Sequence, residues 1–141
     1  MANASVRGTI QAPADRVWAF IRDFGAIGDW FGALAECQGV GSGVGMQRIS
    51  TFKDGVKVTE TLLELDETSR VLRYDVQDPN PFPMKNYVSK VQVNDLGDGT
   101  CEVVWSAECD PDGSSDEEVT KMLEGFFKEA IDDLSRVVSA G

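Results

Sequence analysis

Glu60, Tyr87 and Ser89 are the residues of this chain best suited to hydrogen-bonding or acid–base chemistry in an interior site. Glu60 lies in the strand-like segment 56–65, and Tyr87 and Ser89 alternate along segment 85–94, so those two share one face of a strand. Such a trio could orient the polar group of a small molecule. Alternatively, Glu60 could take and return protons while Tyr87 polarises a carbonyl, which makes these two the candidate catalytic residues of an enzyme.

The orientation of Glu60 stays open on alternation alone. The residues that share its face of segment 56–65 are Val56, Val58, Leu62 and Glu64. The opposite face carries Thr59, Thr61, Leu63 and Leu65. Glu60 could therefore point into the core, or into solvent from an edge strand. Arg48 likewise could reach inward to pair with Glu60 or lie solvated on its own strand.

Histidine is absent from the 141 residues, and this excludes whole classes of site. A Ser/His/Asp or Cys/His nucleophile cannot be built, and the commonest ligand of transition metals is missing. We therefore expect neither a metal nor another cofactor. The formal net charge of −11 makes nucleic acids and anionic lipid surfaces unfavourable partners at long range.

The cysteines and the N-terminal segment bear on location. Cys37, Cys101 and Cys109 are an odd number, and residues 1–10 lack the charged and apolar regions of a signal peptide. We expect reduced thiols and a cytoplasmic protein. The chain has no run of 18 apolar residues, so no stable membrane insertion is expected.

A long amphipathic helix is predicted over residues 115–138, because apolar residues recur there at steps of three and four. Ser115 and Glu118 have the spacing of a capping box at its start, and Gly141 follows its end. The apolar stripe comprises Val119, Met122, Leu123, Phe126, Phe127, Ala130, Ile131, Leu134 and Val138. A face of this size needs a broad partner surface, which the rest of the chain must supply.

The rest of the chain is predicted to be mainly a sheet within a single domain, 1–141. A short strand at 6–10 is followed by a helix after Pro13 and a second short helix at 27–31. The glycine-rich segment 39–45 lacks a following Lys-Ser/Thr pair and helix, so we interpret it as a connection and not as a phosphate loop. The further strands are predicted at 34–40, 46–53, 56–65, 71–78, 85–94 and 101–110.

The order of elements and several short motifs resemble the START/Bet v 1-like superfamily, in particular its bacterial polyketide cyclase/dehydrase-like (SRPBCC) members. The motifs are Ala12-Pro-Ala-Asp-Arg-Val-Trp18, Asp23-Phe24, Trp30, Thr59-Glu60 and Asn86-Tyr87. The resemblance implies an α+β helix-grip fold: a curved antiparallel sheet of about seven strands, in the order β-αα-β6-α, wrapped around the long C-terminal helix. It also implies an apolar cavity between the two.

The resemblance further implies which residues line that cavity and bind its ligand. They are Phe24, Trp30, Ser50, Phe52, Glu60, Leu62, Tyr74, Tyr87, Ser89, Trp105, Met122, Phe126, Phe127 and Ala130. The entrance loops correspond to residues 54–55 and 78–83. On the residues alone, Tyr87, Trp105, Phe126 and Phe127 could equally be core packing.

The chain also resembles the plant abscisic-acid receptors at Thr59-Glu60 and Asn86-Tyr87-Val88-Ser89. It departs from them where their gate segment is replaced by Lys53-Asp-Gly-Val-Lys57, and it has no lysine near Ala35 for a ligand carboxylate. Hormone sensing by that mechanism is therefore not expected. The lysine-based condensing enzymes of the superfamily lose support for the same reason.

The sequence thus supports three functions in descending order. The first is binding or transport of a hydrophobic or amphipathic small molecule, such as a lipid or polyketide, by a monomer or weak homodimer. The second is a cyclase/aromatase or dehydratase without metal or nucleotide that uses Glu60 as acid and base. The third is a protein-interaction module. A single acid–base candidate in the cavity favours binding over catalysis.

Overall fold

Seven antiparallel strands form one sheet in the computed structural model, which describes residues 1–140 and only the backbone of Ala140. The sheet order is β1-β7-β6-β5-β4-β3-β2, so the first and second strands are its two edges. The strands are β1 Ala2–Ile10, β2 Leu34–Val40, β3 Gln47–Phe52, β4 Lys57–Asp66, β5 Val71–Val76, β6 Met84–Asp95 and β7 Cys101–Pro111.

Three helical segments complete the chain: α1 Ala14–Ile21, a 3-10 helix Phe24–Asp29 and α2 Asp116–Ala140. The second short helix, predicted at 27–31, lies instead at Phe24–Asp29 and has 3-10 geometry. Its glycines allow a close approach to β2, since a Cβ on Gly28 would lie 2.9 Å from the Cβ of Cys37. The 3-10 helix therefore lies directly against β2.

The start of α2 confirms the predicted capping box. The amide of Glu118 donates to Ser115 Oγ at 3.1 Å, and the amide of Ser115 donates to Glu118 Oε1 at 3.3 Å. Two backbone donors that the first turn of a helix leaves free are thereby satisfied. Gly141, predicted to follow the helix, lies outside the described residues.

The apolar stripe of α2 packs on the inner face of the sheet, against β1 and β7. Its buried members are Val119, Leu123, Phe127, Ala130, Ile131, Leu134 and Val138. Gly8 in β1 permits the closest approach, because a Cβ there would lie 2.7 Å from Cγ2 of Ile131. A buried carboxylate also fastens the helix, since Asp133 accepts a hydrogen bond from the amide of Gly32 at 2.8 Å and pairs with Arg136.

Alternation along the strands decides which side chains face α2. Trp105 in β7 and Tyr74 in β5 are buried, as predicted. In β4, Val58 and Leu62 are buried and Leu63 is exposed, so the face that includes Glu60 is the inner one. This settles the orientation that the sequence left open.

The chain therefore has the predicted helix-grip fold of the α+β class, a curved sheet around one long helix. The thiols of Cys37, Cys101 and Cys109 are all free. Of the helices in residues 1–140, none combines the length and the apolar character that crossing a membrane requires.

A carboxylate at the turn between β4 and β5 ties the sheet to α1. Glu67 accepts hydrogen bonds from Trp18 Nε1 at 2.7 Å and from Arg22 Nε at 3.0 Å. The hydrogen bonds from Arg22 and then Trp18 lower the pKa of Glu67 from 4.5 to about 2. Because the folded-state pKa is lowered, the stability that ionised Glu67 contributes is present above about pH 4.5 and is lost as the pH falls toward 2.

We therefore expect Glu67→Gln to lower the melting temperature at neutral pH and to have a much smaller effect near pH 3. Thermal unfolding followed by circular dichroism at both pH values measures this. Glu108→Gln is the control, since Glu108 is exposed and its carboxylate makes no hydrogen bond within residues 1–140. An equal loss at both pH values would show that ionisation of Glu67 is not the cause.

Candidate functional site

A cavity of about 80 Å³ lies between α2 and the inner face of the sheet. Of the chain's seven phenylalanines, three tryptophans and two tyrosines, eight residues line it. These eight are Phe31, Phe52, Tyr74, Phe82, Tyr87, Trp105, Phe126 and Phe127. The polar side chains in its wall are Arg48, Ser50, Glu60 and Asn80, and the remaining lining residues are Ile27, Leu34, Val58, Val76, Met84, Leu123 and Ala130.

Nine of the fourteen residues predicted to line a cavity do so: Ser50, Phe52, Glu60, Tyr74, Tyr87, Trp105, Phe126, Phe127 and Ala130. Phe24, Trp30, Leu62, Ser89 and Met122 do not. Leu62 is buried in the core away from the cavity, and Met122 lies on the partly exposed flank of α2. The Ser89 hydroxyl donates a hydrogen bond to the backbone carbonyl of Ser106 at 2.8 Å, and this bond links β6 to β7.

Ten lining residues were missed by sequence reasoning, and some had a usable signal. Arg48 alternates with Ser50 and Phe52, so a strand that turns these two inward must turn Arg48 inward as well. Phe82 lies in a proline-rich loop. Side chains in a loop do not alternate as they do in a strand, so no pattern in the sequence indicates which way Phe82 points. The ten are Ile27, Phe31, Leu34, Arg48, Val58, Val76, Asn80, Phe82, Met84 and Leu123.

Arg48 and Glu60 form a buried ion pair in the cavity wall. They face each other across the β3–β4 register, and Arg48 Nε lies 2.8 Å from Glu60 Oε1. Their side chains are only 5% and 13% exposed. Arg48 also donates from a terminal nitrogen to the carbonyl of Phe24 at 3.1 Å. Arg48 therefore points inward and pairs with Glu60, and it does not lie solvated on its strand.

The Arg48 guanidinium is held between two aromatic rings. Its Cζ lies 4.0 Å from the ring centre of Phe24 and 4.8 Å from that of Tyr74, within the range of cation–π attraction. Burial is the largest single influence and would lower the pKa of Arg48, but the charge of Glu60, its hydrogen bond to Arg48 and the nearby Tyr74 together outweigh burial, so the net shift of the pKa is upward. Arg48 is therefore a fixed positive charge, and Phe24 supports it from behind.

Tyr74 and Tyr87 supply hydroxyl groups that stay protonated. Burial raises the pKa of Tyr74 and raises that of Tyr87 well above its ordinary value. The Tyr74 hydroxyl accepts a hydrogen bond from Trp105 Nε1 at 3.1 Å. Trp105 in turn stacks on Phe127 of α2, with ring centres 5.7 Å apart. The part of the wall formed by these residues is thus a continuous aromatic surface whose hydroxyl groups are uncharged.

Three phenylalanines that line the cavity also reach the protein surface. Phe52 ends β3, Phe82 lies in the loop before β6, and Phe126 lies on α2. Their ring centres are 5.4–5.8 Å apart, and each residue is partly exposed while also lining the cavity. We name Phe52, Phe82 and Phe126 the aromatic closure. A molecule entering from this side must displace one or more of these rings.

The size of the cavity limits what it holds in this conformation. Cavities of about 150 Å³ bind benzene, and pockets for drug-sized ligands measure about 300–1,000 Å³. At about 80 Å³, the present space is smaller than a single benzene site. An occupant of the size of benzene or larger therefore requires part of the cavity wall to move outward.

A smaller space of about 10 Å³ is bordered by Arg48 and Trp30. It is about the size of one water molecule. Trp30 Nε1 is buried without a hydrogen-bond partner among the described residues. Within those residues, no group of three or more Cys, Asp or Glu side chains is placed to hold a metal ion.

Comparison with known proteins identifies the family of the chain and solved structures with the same fold. The profile of a family described as "Polyketide cyclase / dehydrase and lipid transport" matches residues 1–139. A search of curated proteins finds no match.

Solved structures from several organisms have the same fold. The protein XoxI from Bacillus cereus superposes with a TM-score of 0.90 at 26% identity, covering 98% of this chain and 96% of that one. A protein from Thermobifida fusca gives 0.86 at 29% identity, covering 99% and 95%. Norcoclaurine synthase from Thalictrum flavum, in complex with dopamine and hydroxybenzaldehyde, gives 0.79 at 19% identity, covering 98% and 86%. At that last identity the likeness concerns the fold alone.

Proposed function

The chain belongs to the polyketide cyclase / dehydrase and lipid transport family, and from this we propose that it binds a hydrophobic or amphipathic small molecule in the cavity between α2 and the sheet. The observation that carries the proposal is a buried Arg48–Glu60 pair at 2.8 Å in an otherwise aromatic wall. A packed core gains little from such a pair, because removing two charges from water costs about as much as their attraction returns. A few fixed polar groups among apolar walls are typical of ligand sites.

The affinity would come from apolar burial at about 25 cal/mol per Å² of ligand surface. Orientation would come from Glu60, Arg48 and Tyr87. Ligand entry would displace the aromatic closure, whose half-buried rings lose less packing on moving than fully buried rings would.

Acid–base catalysis by Glu60 and Tyr87 has less support. One carboxylate oxygen of Glu60 is bound to Arg48, so proton transfer would have to use the other oxygen beside a fixed positive charge. The protonated hydroxyl of Tyr87 is suited to polarising a carbonyl, and a cyclase or dehydratase is therefore the second candidate. Our first candidate function remains the binding or transport of a ligand, without a cofactor, by a cytoplasmic monomer or weak homodimer.

Native mass spectrometry of the purified protein tests the proposal, both for a co-purifying molecule and for added 2-naphthol. We expect a 1:1 complex. Ala130→Leu should prevent it, because Ala130 is 2% exposed and lines the cavity, so the added carbons occupy the ligand's space. Ala19→Leu, on the exposed side of α1, is the control and should bind like the unaltered protein. Absence of any complex, or equal binding by Ala130→Leu, would contradict the proposal.

A further inference from the structure

The wall of the cavity carries features that discriminate between ligands by their charge and their polar group. Resting on the proposed function, we propose that the occupant is an uncharged aromatic molecule whose hydroxyl group binds at the Arg48–Glu60 pair. The inference depends on three features: the charge balance of the wall, its free hydrogen-bonding atoms and its rings.

An anionic ligand is disfavoured by Glu60. A carboxylate that reached the guanidinium of Arg48 would stand beside the Glu60 carboxylate, which already lies 2.8 Å from Arg48 Nε. Like charges placed together in an interface repel each other strongly. The net charge of −11 adds a repulsive field at long range.

A cationic ligand is disfavoured by Arg48 for the same reason. An ammonium group at Glu60 would meet a guanidinium that is 5% exposed and held between Phe24 and Tyr74. Arg48 cannot turn away without giving up its hydrogen bond to the Phe24 carbonyl. Its upward-shifted pKa also keeps it charged.

The pair leaves one acceptor and one donor unused. Within residues 1–140, Oε2 of Glu60 accepts no hydrogen bond and Nη2 of Arg48 donates none. A hydroxyl group is both donor and acceptor, so it can satisfy both atoms at once. A purely hydrocarbon ligand would cover them and leave both unpaired, which costs affinity.

The remaining wall favours a planar ring. Eight aromatic side chains surround the space, and aromatic pairs attract each other beyond the effect of the area that they bury. Tyr74 and Tyr87 remain neutral. No wall residue other than Arg48 and Glu60 is charged.

Three probes of one ring system test the inference: 2-naphthol, 2-naphthoate and 2-naphthylmethylammonium. Binding is measured by NMR titration at high salt, which screens the field of the net charge. We expect 2-naphthol to shift the lining residues and to bind at least about tenfold more tightly than either charged probe, a difference of about 1.4 kcal/mol. Equal or tighter binding of a charged probe would overturn the inference.

Glu60→Gln gives a second test, in which the expected result is a gain in affinity for the anionic probe. The variant keeps an acceptor for Arg48 but removes the like charge, so the affinity for 2-naphthoate relative to 2-naphthol should rise by about tenfold or more. Glu64→Gln is the matched control, since it removes the same charge from the same strand at a side chain that is 50% exposed. A ratio that stays unchanged in Glu60→Gln, or rises equally in both variants, would refute the role of Glu60.

The outcome also separates this inference from the proposed function. If charged probes bind in the cavity as well as 2-naphthol does, the charge assignment fails and the ligand pocket stands. If no probe shifts the lining residues, the proposed function itself fails.

Discussion

Replacing Arg48 with methionine is expected to lower the free energy of unfolding by about 3–5 kcal/mol, as removal of one partner from a buried ion pair does. Methionine retains much of the apolar stem but leaves the Glu60 carboxylate, 13% exposed, without its cation. It also removes the donor to the carbonyl of Phe24. Urea unfolding followed by tryptophan fluorescence measures the loss.

Two variants control for this prediction. Arg7→Met removes an exposed arginine, 68% accessible and 3.5 Å from Glu102, and should cost less than about 1 kcal/mol. The double variant Arg48→Met/Glu60→Met should regain most of the loss, because two apolar side chains can replace a buried pair at little cost. If Arg48→Met is as mild as Arg7→Met, the guanidinium is not held in the interior in solution.

Replacing Phe127 with alanine should also cost about 3–5 kcal/mol, the usual range for a buried aromatic ring. Phe127 is 4% exposed and stacks on Trp105, so its removal takes packing from both α2 and β7. The variant should also enlarge the cavity next to Trp105. Its stability is measured by the same urea unfolding.

The neighbouring Phe126 provides the matched comparison. Phe126 is partly exposed and belongs to the aromatic closure, so Phe126→Ala should cost clearly less than Phe127→Ala. It should speed the entry of 2-naphthol, because one of the rings of the aromatic closure is gone. Equal destabilisation by the two variants would contradict the different positions assigned to the two rings.

The fold was largely predictable because its signals are local. The stripe and capping box of α2 follow from side-chain spacing, and alternation decides the buried faces of β5, β6 and β7. The short helix near residues 24–31 was misplaced because its position depends on the contact of Gly28 with Cys37, a tertiary feature. No pattern within the segment encodes that contact.

The site was predictable only in part, for a physical reason. Alternation shows that Glu60 and Ser89 can face inward, but not how far along the helix the cavity extends. Ser89 faces inward, yet it does not line the cavity, and its hydroxyl proton is donated to the Ser106 carbonyl. Alternation with Ser50 and Phe52 turns Arg48 inward, but its pairing with Glu60 depends on the register between β3 and β4, which the sequence does not state.

The most direct test is a crystal structure of the protein grown with 2-naphthol. We predict ring density between α2 and the sheet, in contact with Phe127, Tyr87 and Trp105, with the hydroxyl within hydrogen-bond distance of Glu60 and the aromatic closure displaced outward. Side chains closed around the present 80 Å³ space, with 2-naphthol absent or bound only on the outer surface, would contradict a ligand site between the helix and the sheet.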